Sequence, residues 1–180
     1  MQEGNGIRKA RQDEIEEIME LISKCVQVMQ AAGSDQWDES YPNKEIIELD
    51  IAQGTLYVCE EDQAIAGILV LDENASEEYK KIEWKQNQGP HLIMHRLAVH
   101  PHIQGKGIAT RLIAFAEDYA ARNGYTSIRL DTYAKNTRAL EIYPRLGYDH
   151  RGEVGFPNRT ANFPVFEKVL KPERSPESLT

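Results

Sequence analysis

His95-Arg96-Leu97-Ala98-Val99-His100-Pro101-His102-Ile103-Gln104-Gly105-Lys106-Gly107-Ile108-Ala109-Thr110 is the stretch on which the reading of this chain turns. The apolar run over residues 92–99 has the character of a buried strand. Ile108, Leu112, Ala116 and Tyr119 then recur at helical spacing in a segment from about 107 to 122. Between strand and helix lies a turn with two glycines. That order aims the first backbone N–H groups of the helix outward, and the helix dipole adds positive potential there, which suits an anion such as a phosphate. Glycine lets the anion approach the main chain closely. A dinucleotide-binding turn uses the same physics, but it wants a third glycine where Thr110 stands and opens a larger parallel sheet. A nucleoside-triphosphate loop needs Gly-Lys-Ser or Gly-Lys-Thr, which does not follow. Taken alone, the turn could also be a glycine-rich helix start with no ligand.

Working outward, residues 7–10 form a short opening strand, and Asp13 with Glu16 stands where a capping pair would start a helix. Ile15, Ile18, Met19, Ile22, Val26 and Met29 give that helix one apolar face, ending near Gly33. Residues 34–41 read as a loop, 43–53 as a second helix stopped by Gly54. Two β-rich runs, 55–60 and 64–71, make an antiparallel hairpin. Residues 72–90 are polar and less regular, with Ile82 and Trp84 on one face of a short strand and Gly89-Pro90 as a break. Downstream, Asn123-Gly124 closes the long helix and 127–131 is another strand. Residues 137–143 form a short helix that Pro144 terminates, and 146–151 and 165–169 are the last strands. The whole is one α/β domain over residues 1–170, followed by a tail, 171–180, with the composition of a disordered segment.

Composition narrows function by exclusion. With 180 residues, 41% hydrophobic and 28% charged, the chain has an ordinary globular make-up. A formal charge of −8 argues against a nucleic-acid surface and mildly favours a cationic substrate. There is no apolar run long enough to span a bilayer and no signal-like start, so a cytoplasmic protein without a membrane partner is expected. Cys25 and Cys59 lie in apolar patterns without zinc or redox spacing and read as reduced core residues. His100 and His102 flank Pro101, but no third ligand follows at useful spacing, so no metal is expected.

The glycine turn is followed by Asn136, Ala139, Tyr143 and Gly147-Tyr148. Here the sequence resembles the GNAT acetyltransferase superfamily. Gln104, Gly107 and Ala109 match its Gln/Arg-x-x-Gly-x-Gly/Ala signature, and Asn136-x-x-Ala139-x-x-x-Tyr143 followed by Gly147-Tyr148 matches its second half. The resemblance is sharp over residues 92–151. It implies a central, mostly antiparallel mixed sheet flanked by helices, in which strands 92–99 and 127–131 splay apart and admit the pantetheine arm of acetyl-CoA. Main-chain groups of Leu97, Ala98 and Val99 would pair with that arm. The N–H groups of Gln104, Gly105, Lys106, Gly107, Ile108, Ala109 and Thr110 would hold the pyrophosphate, Asn136 would contact the cofactor from the far side, and Lys106 and Arg111 could add charge.

The resemblance also implies a reaction: direct attack of an amine on the thioester in a ternary complex, with Tyr143 as the general acid. A phenol of pKa near 10 can protonate a departing thiolate whose conjugate acid lies near 8.5. The residue before a proline avoids helical angles, so Pro144 bears on how Tyr143 is turned. The amine arrives protonated, so a base is needed. Glu83, which precedes the cofactor strand, and His95, which lies on it, are the candidates. Specificity in such proteins comes from the early helices, their loop and the late strands, here Gln36, Trp37, Tyr41, Trp84 and the 156–163 loop. These point first to a small-molecule amine in an aromatic-walled pocket. A peptide or protein amine in an open groove, and a non-catalytic acyl-CoA sensor, stay open as alternatives. The late strands and aromatic loop also offer a surface for a homodimer.

Overall fold

A computed structural model of the chain describes residues 6–103 and 105–171. Gln104 and residues 172–180 of the expected tail lie outside the described residues. Seven strands form one sheet in the order β1-β2-β3-β4-β5-β7-β6: β1 Ile7–Lys9, β2 Leu56–Glu61, β3 Ala64–Asp72, β4 His91–Val99, β5 Ser127–Asp131, β6 Asp149–Val154 and β7 Phe163–Val169. Every pairing is antiparallel except β4 with β5. Four helices flank the sheet: α1 Ile15–Ala31, α2 Lys44–Ala52, α3 Ile108–Arg122 and α4 Thr137–Arg145. The apolar stripe of α1 (Ile18, Leu21, Ile22, Cys25) packs with Ile47 and Ile51 of α2 on one face. Ile108, Leu112, Ile113 and Ala116 of α3 pack on the other. Gly67 of β3 is where α3 comes closest, since a Cβ there would stand 2.8 Å from the Ile108 side chain.

Local chemistry accounts for most boundaries. Asn43 caps α2 by accepting the Ile46 N–H at 3.0 Å, and Gly54 leaves it with φ +70°. Asp62 and Gln63 both take positive φ in the two-residue turn between β2 and β3, the geometry that matches the twist of an antiparallel pair. Three expectations are corrected. The turn leading into α1 is closed by Glu14, which accepts the Arg11 N–H at 2.8 Å, in place of Asp13 and Glu16. The segment holding Ile82 and Trp84 is no strand: a 3₁₀ turn over Glu77–Lys81 starts at Ser76, whose hydroxyl accepts the Glu78 N–H. Finally, α4 continues through Pro144 to Arg145, because Pro144 sits in the last turn where its missing N–H costs a single helical bond. The strand expected at 146–151 accordingly begins later, at Asp149. No helix among the described residues is long and apolar enough to cross a membrane.

Candidate active site

The parallel pair at the centre of the sheet is short. β4 and β5 pair only at His91, Leu92 and Ile93 against Ser127, Ile128 and Arg129, although both strands run on. Past that point β5 stays with β7, as Asp131 opposite Val165 shows, and β4 stays with β3. A bulge bends β4 at this place: Arg96 and Leu97 together stand opposite Leu69, and Arg96 takes φ +48°. The Arg96 guanidinium fixes the bulge. Its Nε and Nη2 each donate to a carboxylate oxygen of Asp50 at 2.8 Å and its Nη1 donates to the Tyr41 hydroxyl at 3.1 Å. Both members of this ion pair are largely buried, so the two-pronged geometry is what makes burial tolerable.

The gap between the diverging strands opens into a cavity of about 740 Å³. Met94, His95, Arg96 and Leu97 of β4 line one side, and Leu130, Asp131, Asn136 and Tyr143 line the other. In the turn that follows β4, Gly105 and Gly107 take φ +88° and +69° with no atom within 4 Å of where a Cβ would stand. Gly107 precedes α3 and has no side chain to cap it, so the first-turn N–H groups are left to solvent or to an anion. Ile108 and Ala98 are buried, which leaves only their main chains to a ligand. Val99 pairs with Gly67, and its carbonyl accepts the Cys25 thiol at 3.4 Å. Lys106 stands 3.6 Å from Asp62, and Arg111 donates to Glu61 at 2.9 Å. Asn136 caps α4, its Oδ1 accepting the Ala139 N–H at 3.2 Å, which gives the Asn-x-x-Ala spacing a physical meaning, and the residue also lines the cavity.

Tyr143 and His95 are brought to the same cavity. Tyr143 is 5% exposed and, unlike Tyr148, its hydroxyl is not sealed away without a partner. Burial, with the negative charge of Asp131 adding to it, raises its phenol well above the usual value, so it holds its proton throughout the neutral range. His95 Nε2 shares a 2.8 Å hydrogen bond with Asp72 Oδ1. Burial opposes ionisation of Asp72 more than any single contact favours it, but the hydrogen bond and charge of His95, the Asn74 N–H and the charge of Arg96 together outweigh burial, and the carboxyl sits below its ordinary value. With a carboxylate accepting at Nε2, the proton resides there and Nδ1 is the basic ring nitrogen. Trp37, 4% exposed, and Tyr41 also line the cavity.

Two expected residues lie elsewhere. Glu83 is exposed and absent from the lining; its carbonyl, not its carboxylate, is engaged, accepting from Arg151 Nη2 at 2.7 Å. Trp84 is buried against Arg129, whose guanidinium lies 4.3 Å from the ring centre, and its indole N–H donates to the Tyr79 carbonyl at 3.0 Å. The sequence distance of Cys25 from the signature is also misleading, since folding sets it beside Val99. Burial pushes its thiol up to about 11, so it stays protonated and is a poor acyl carrier. Among the described residues no group of three or more His, Cys, Asp or Glu is placed to hold a metal ion.

Sequence reasoning missed Asp72, Tyr79, Asp131 and Arg159. Asp131, a carboxylate ending an apolar strand at the point of divergence, carried a readable signal. Tyr79, in the irregular segment, carried none. Tyr79 donates its hydroxyl proton to Asp131 Oδ2 at 2.7 Å. The far wall joins two remote loops: Arg159 donates to the Gln36 carbonyl at 3.1 Å and to Asp38 at 3.2 Å, and Thr160 donates to Asp35 at 3.0 Å.

A mixed sheet split at the parallel pair of β4 and β5, with an uncapped helix start in the chain that follows β4 and a protonated tyrosine lining the split, is the arrangement of an acyl-transferring class of protein. Residues 15–148 match the acetyltransferase (GNAT) family, and the chain belongs to it; it is an acetyl-CoA-dependent N-acetyltransferase. It is 25% identical over 163 residues to the N-acetyltransferase YesJ of Bacillus subtilis (strain 168), covering 89% of this chain and 88% of that one. An acetyltransferase of the GNAT family from Streptococcus agalactiae 2603 superposes with a TM-score of 0.79 at 29% identity, covering 92% of this chain and 95% of the other. The yncA protein of Salmonella typhimurium, solved with its cofactor acetyl-CoA, shares the fold with a TM-score of 0.67 at 17% identity over 96% of this chain and 97% of its own.

Proposed function

We propose that the enzyme moves the acetyl group of acetyl-CoA to the primary amine of a small molecule by direct attack in a ternary complex. The observation that carries this reading is the wedge between β4 and β5, which has Tyr143 and His95 in its lining, His95 being held by Asp72, together with the uncapped start of α3 in the chain that follows β4. Acetyl-CoA supplies the thioester to be cleaved. The free edge of β4 beyond Ile93 suits the amide groups of a pantetheine arm, and the glycine turn with the first-turn N–H groups of α3 suits a pyrophosphate. The amide NH₂ of Asn136 would donate from the other side.

His95 Nδ1 takes a proton from the incoming ammonium, with Asp72 holding the ring in orientation and stabilising the imidazolium that results. As the amine nitrogen bonds to the carbonyl carbon and the carbon–sulfur bond breaks, Tyr143 gives its proton to the departing sulfur, and the second proton released by the acylated nitrogen returns the tyrosinate to the phenol. The raised phenol suits this role because the same dry surroundings raise the basicity of the sulfur. Cys25 is not acylated, and no metal enters. A walled cavity, closed on its far side by the joined loops, favours a small acceptor over a polypeptide.

The test is thiol release from acetyl-CoA against a panel of small amines and peptide N-termini, with acetyl-CoA affinity measured in parallel. Turnover confined to small amines is expected. Tyr143→Phe should lower kcat by about a hundredfold while leaving acetyl-CoA affinity within about twofold. Turnover with peptides alone would move the acceptor to that class, and tight binding without turnover would make the protein a sensor.

A further inference from the structure

Charge accounting in the cleft points to the kind of amine. The acidic, basic and histidine side chains in its lining are Asp38, His95, Arg96, Asp131 and Arg159. Four of them are matched within the protein: Asp38 with Arg159 at 3.2 Å, His95 with Asp72 at 2.8 Å, and Arg96 with Asp50 at 2.8 Å. Asp131 differs. Its side-chain partner among the described residues is the neutral Tyr79 hydroxyl at 2.7 Å, on Oδ2, and it makes no ion pair among them. It is half-buried at the divergence of β5 from β4 and opens to the cleft. A carboxylate partly withdrawn from water and facing a cavity without a cation is favoured by a ligand that brings one.

The rest of the lining is uncharged: hydroxyl and amide side chains such as Ser40, Ser76 and Asn158 alternate with an apolar and aromatic set. Phe156 and Phe163 meet edge to face with ring centres 4.9 Å apart, and Phe163 begins the strand that pairs with the Asp131 strand. Trp37, Met29 and Met94 also line the cavity. A body carrying a carboxylate would find no unmatched cation there, and a second ammonium would find no second unmatched carboxylate.

Resting on the acetyltransferase reading above, we infer that the acceptor is a primary amine with a single positive charge and an uncharged apolar or aromatic body. Its ammonium is received by Asp131 and its body lies against Phe156, Phe163 and Trp37. Asp131 then holds the nitrogen that His95 deprotonates. The carboxyl of Asp131 is raised by burial, with Tyr79 and His95 working the other way, and a bound ammonium stabilises its ionised form.

A matched set of amines tests this on the wild-type protein: 2-phenylethylamine, phenylalanine, which adds a carboxylate, and 1,4-bis(aminomethyl)benzene, which adds a second cation. The expected result is a kcat/KM for 2-phenylethylamine at least about tenfold above either charged relative, the direction that desolvating an unmatched charge dictates. Asp131→Asn should raise KM for 2-phenylethylamine and cut kcat/KM by about thirtyfold or more. Tyr79→Phe, which keeps the carboxylate, should have a smaller effect. Acetyl-CoA affinity by calorimetry should be unchanged in both variants, which also reports that they fold. A preference for the diamine or the amino acid, or an intact kcat/KM in Asp131→Asn, overturns this inference while acetyl-CoA binding and turnover leave the acetyltransferase reading standing. Absence of acetyl-CoA binding by the wild type overturns both.

Discussion

Along the β4–α3 side of the cleft the recognising groups are main chain, and the residues that shape them are neighbours in sequence: the bulge at Arg96, the glycines at 105 and 107, and the start of α3. Across the cleft the groups are side chains, and the contacts that position them span the chain. Asp35 accepts from Tyr133 and from the Thr160 N–H, and Arg159 reaches Gln36 and Asp38, at separations from 98 to 125 positions. The first kind of site reads any ligand that offers an anion and amide groups, because it depends on backbone geometry alone. The second reads shape and charge, and can change acceptor by changing a few side chains without disturbing the first.

The largest effect is expected where the two sides meet. Asp50→Ala leaves the Arg96 guanidinium buried and without its carboxylate, and should cost about 3 kcal/mol or more of stability in denaturant unfolding. Because Arg96 fixes the β4 bulge and also holds Tyr41, this change should weaken both acetyl-CoA and amine binding. Gly107→Val should break only the backbone side. A branched residue at φ +69° costs about 1–2 kcal/mol, and acetyl-CoA affinity should fall by about tenfold with acceptor preference unchanged. Gly33→Ala is the control, since Gly33 has φ +78° and open surroundings but lies at the end of α1: stability should fall by about 1 kcal/mol and acetyl-CoA affinity should hold.

Smaller effects belong to the clasp of loops. Arg159→Ala should raise KM for the amine by about threefold to fivefold and lower stability by under about 1 kcal/mol, with acetyl-CoA affinity unchanged. The Tyr133 hydroxyl, helped by Thr160 against partial burial, pulls the Asp35 carboxyl down to about 2. The folded value is below the unfolded one, so the contribution of Asp35 is complete above about pH 4 and is lost as pH falls toward about 2. Amide exchange at Thr160 should therefore accelerate across that acid window before the backbone side responds, and Asp35→Asn should remove the pH dependence.

The part of the site carried by local pattern was legible in advance. Strand 92–99, the turn, the helix after it, and the Asn136 to Tyr148 spacing each depend on a few adjacent residues, and in the structure Leu97, Asn136 and Tyr143 line one cavity. Pro144 shows the limit of local rules, since its steric preference was read as ending a helix that in fact has one more turn to close. Glu83 and Trp84 show another. In a segment without periodicity, a carboxylate and an indole look functional, but whether they face a cleft or a core depends on where β5 and β7 lie. Trp84 is taken up by Arg129, and the Glu83 backbone by Arg151.

What the sequence determined by itself was the order of elements, the split-sheet family they build and the glycine turn ahead of α3, because each follows from periodicity and glycine conformation acting over a few residues. Only the tertiary structure decided which carboxylates meet the cleft. Asp72 orients His95, Asp50 fixes Arg96, Asp38 holds Arg159, and Asp131 makes no ion pair among the described residues. Each of the three matched pairs joins separate segments of chain. A charge in a buried site is defined by its partner, and partners brought together from distant segments leave no mark in the local sequence.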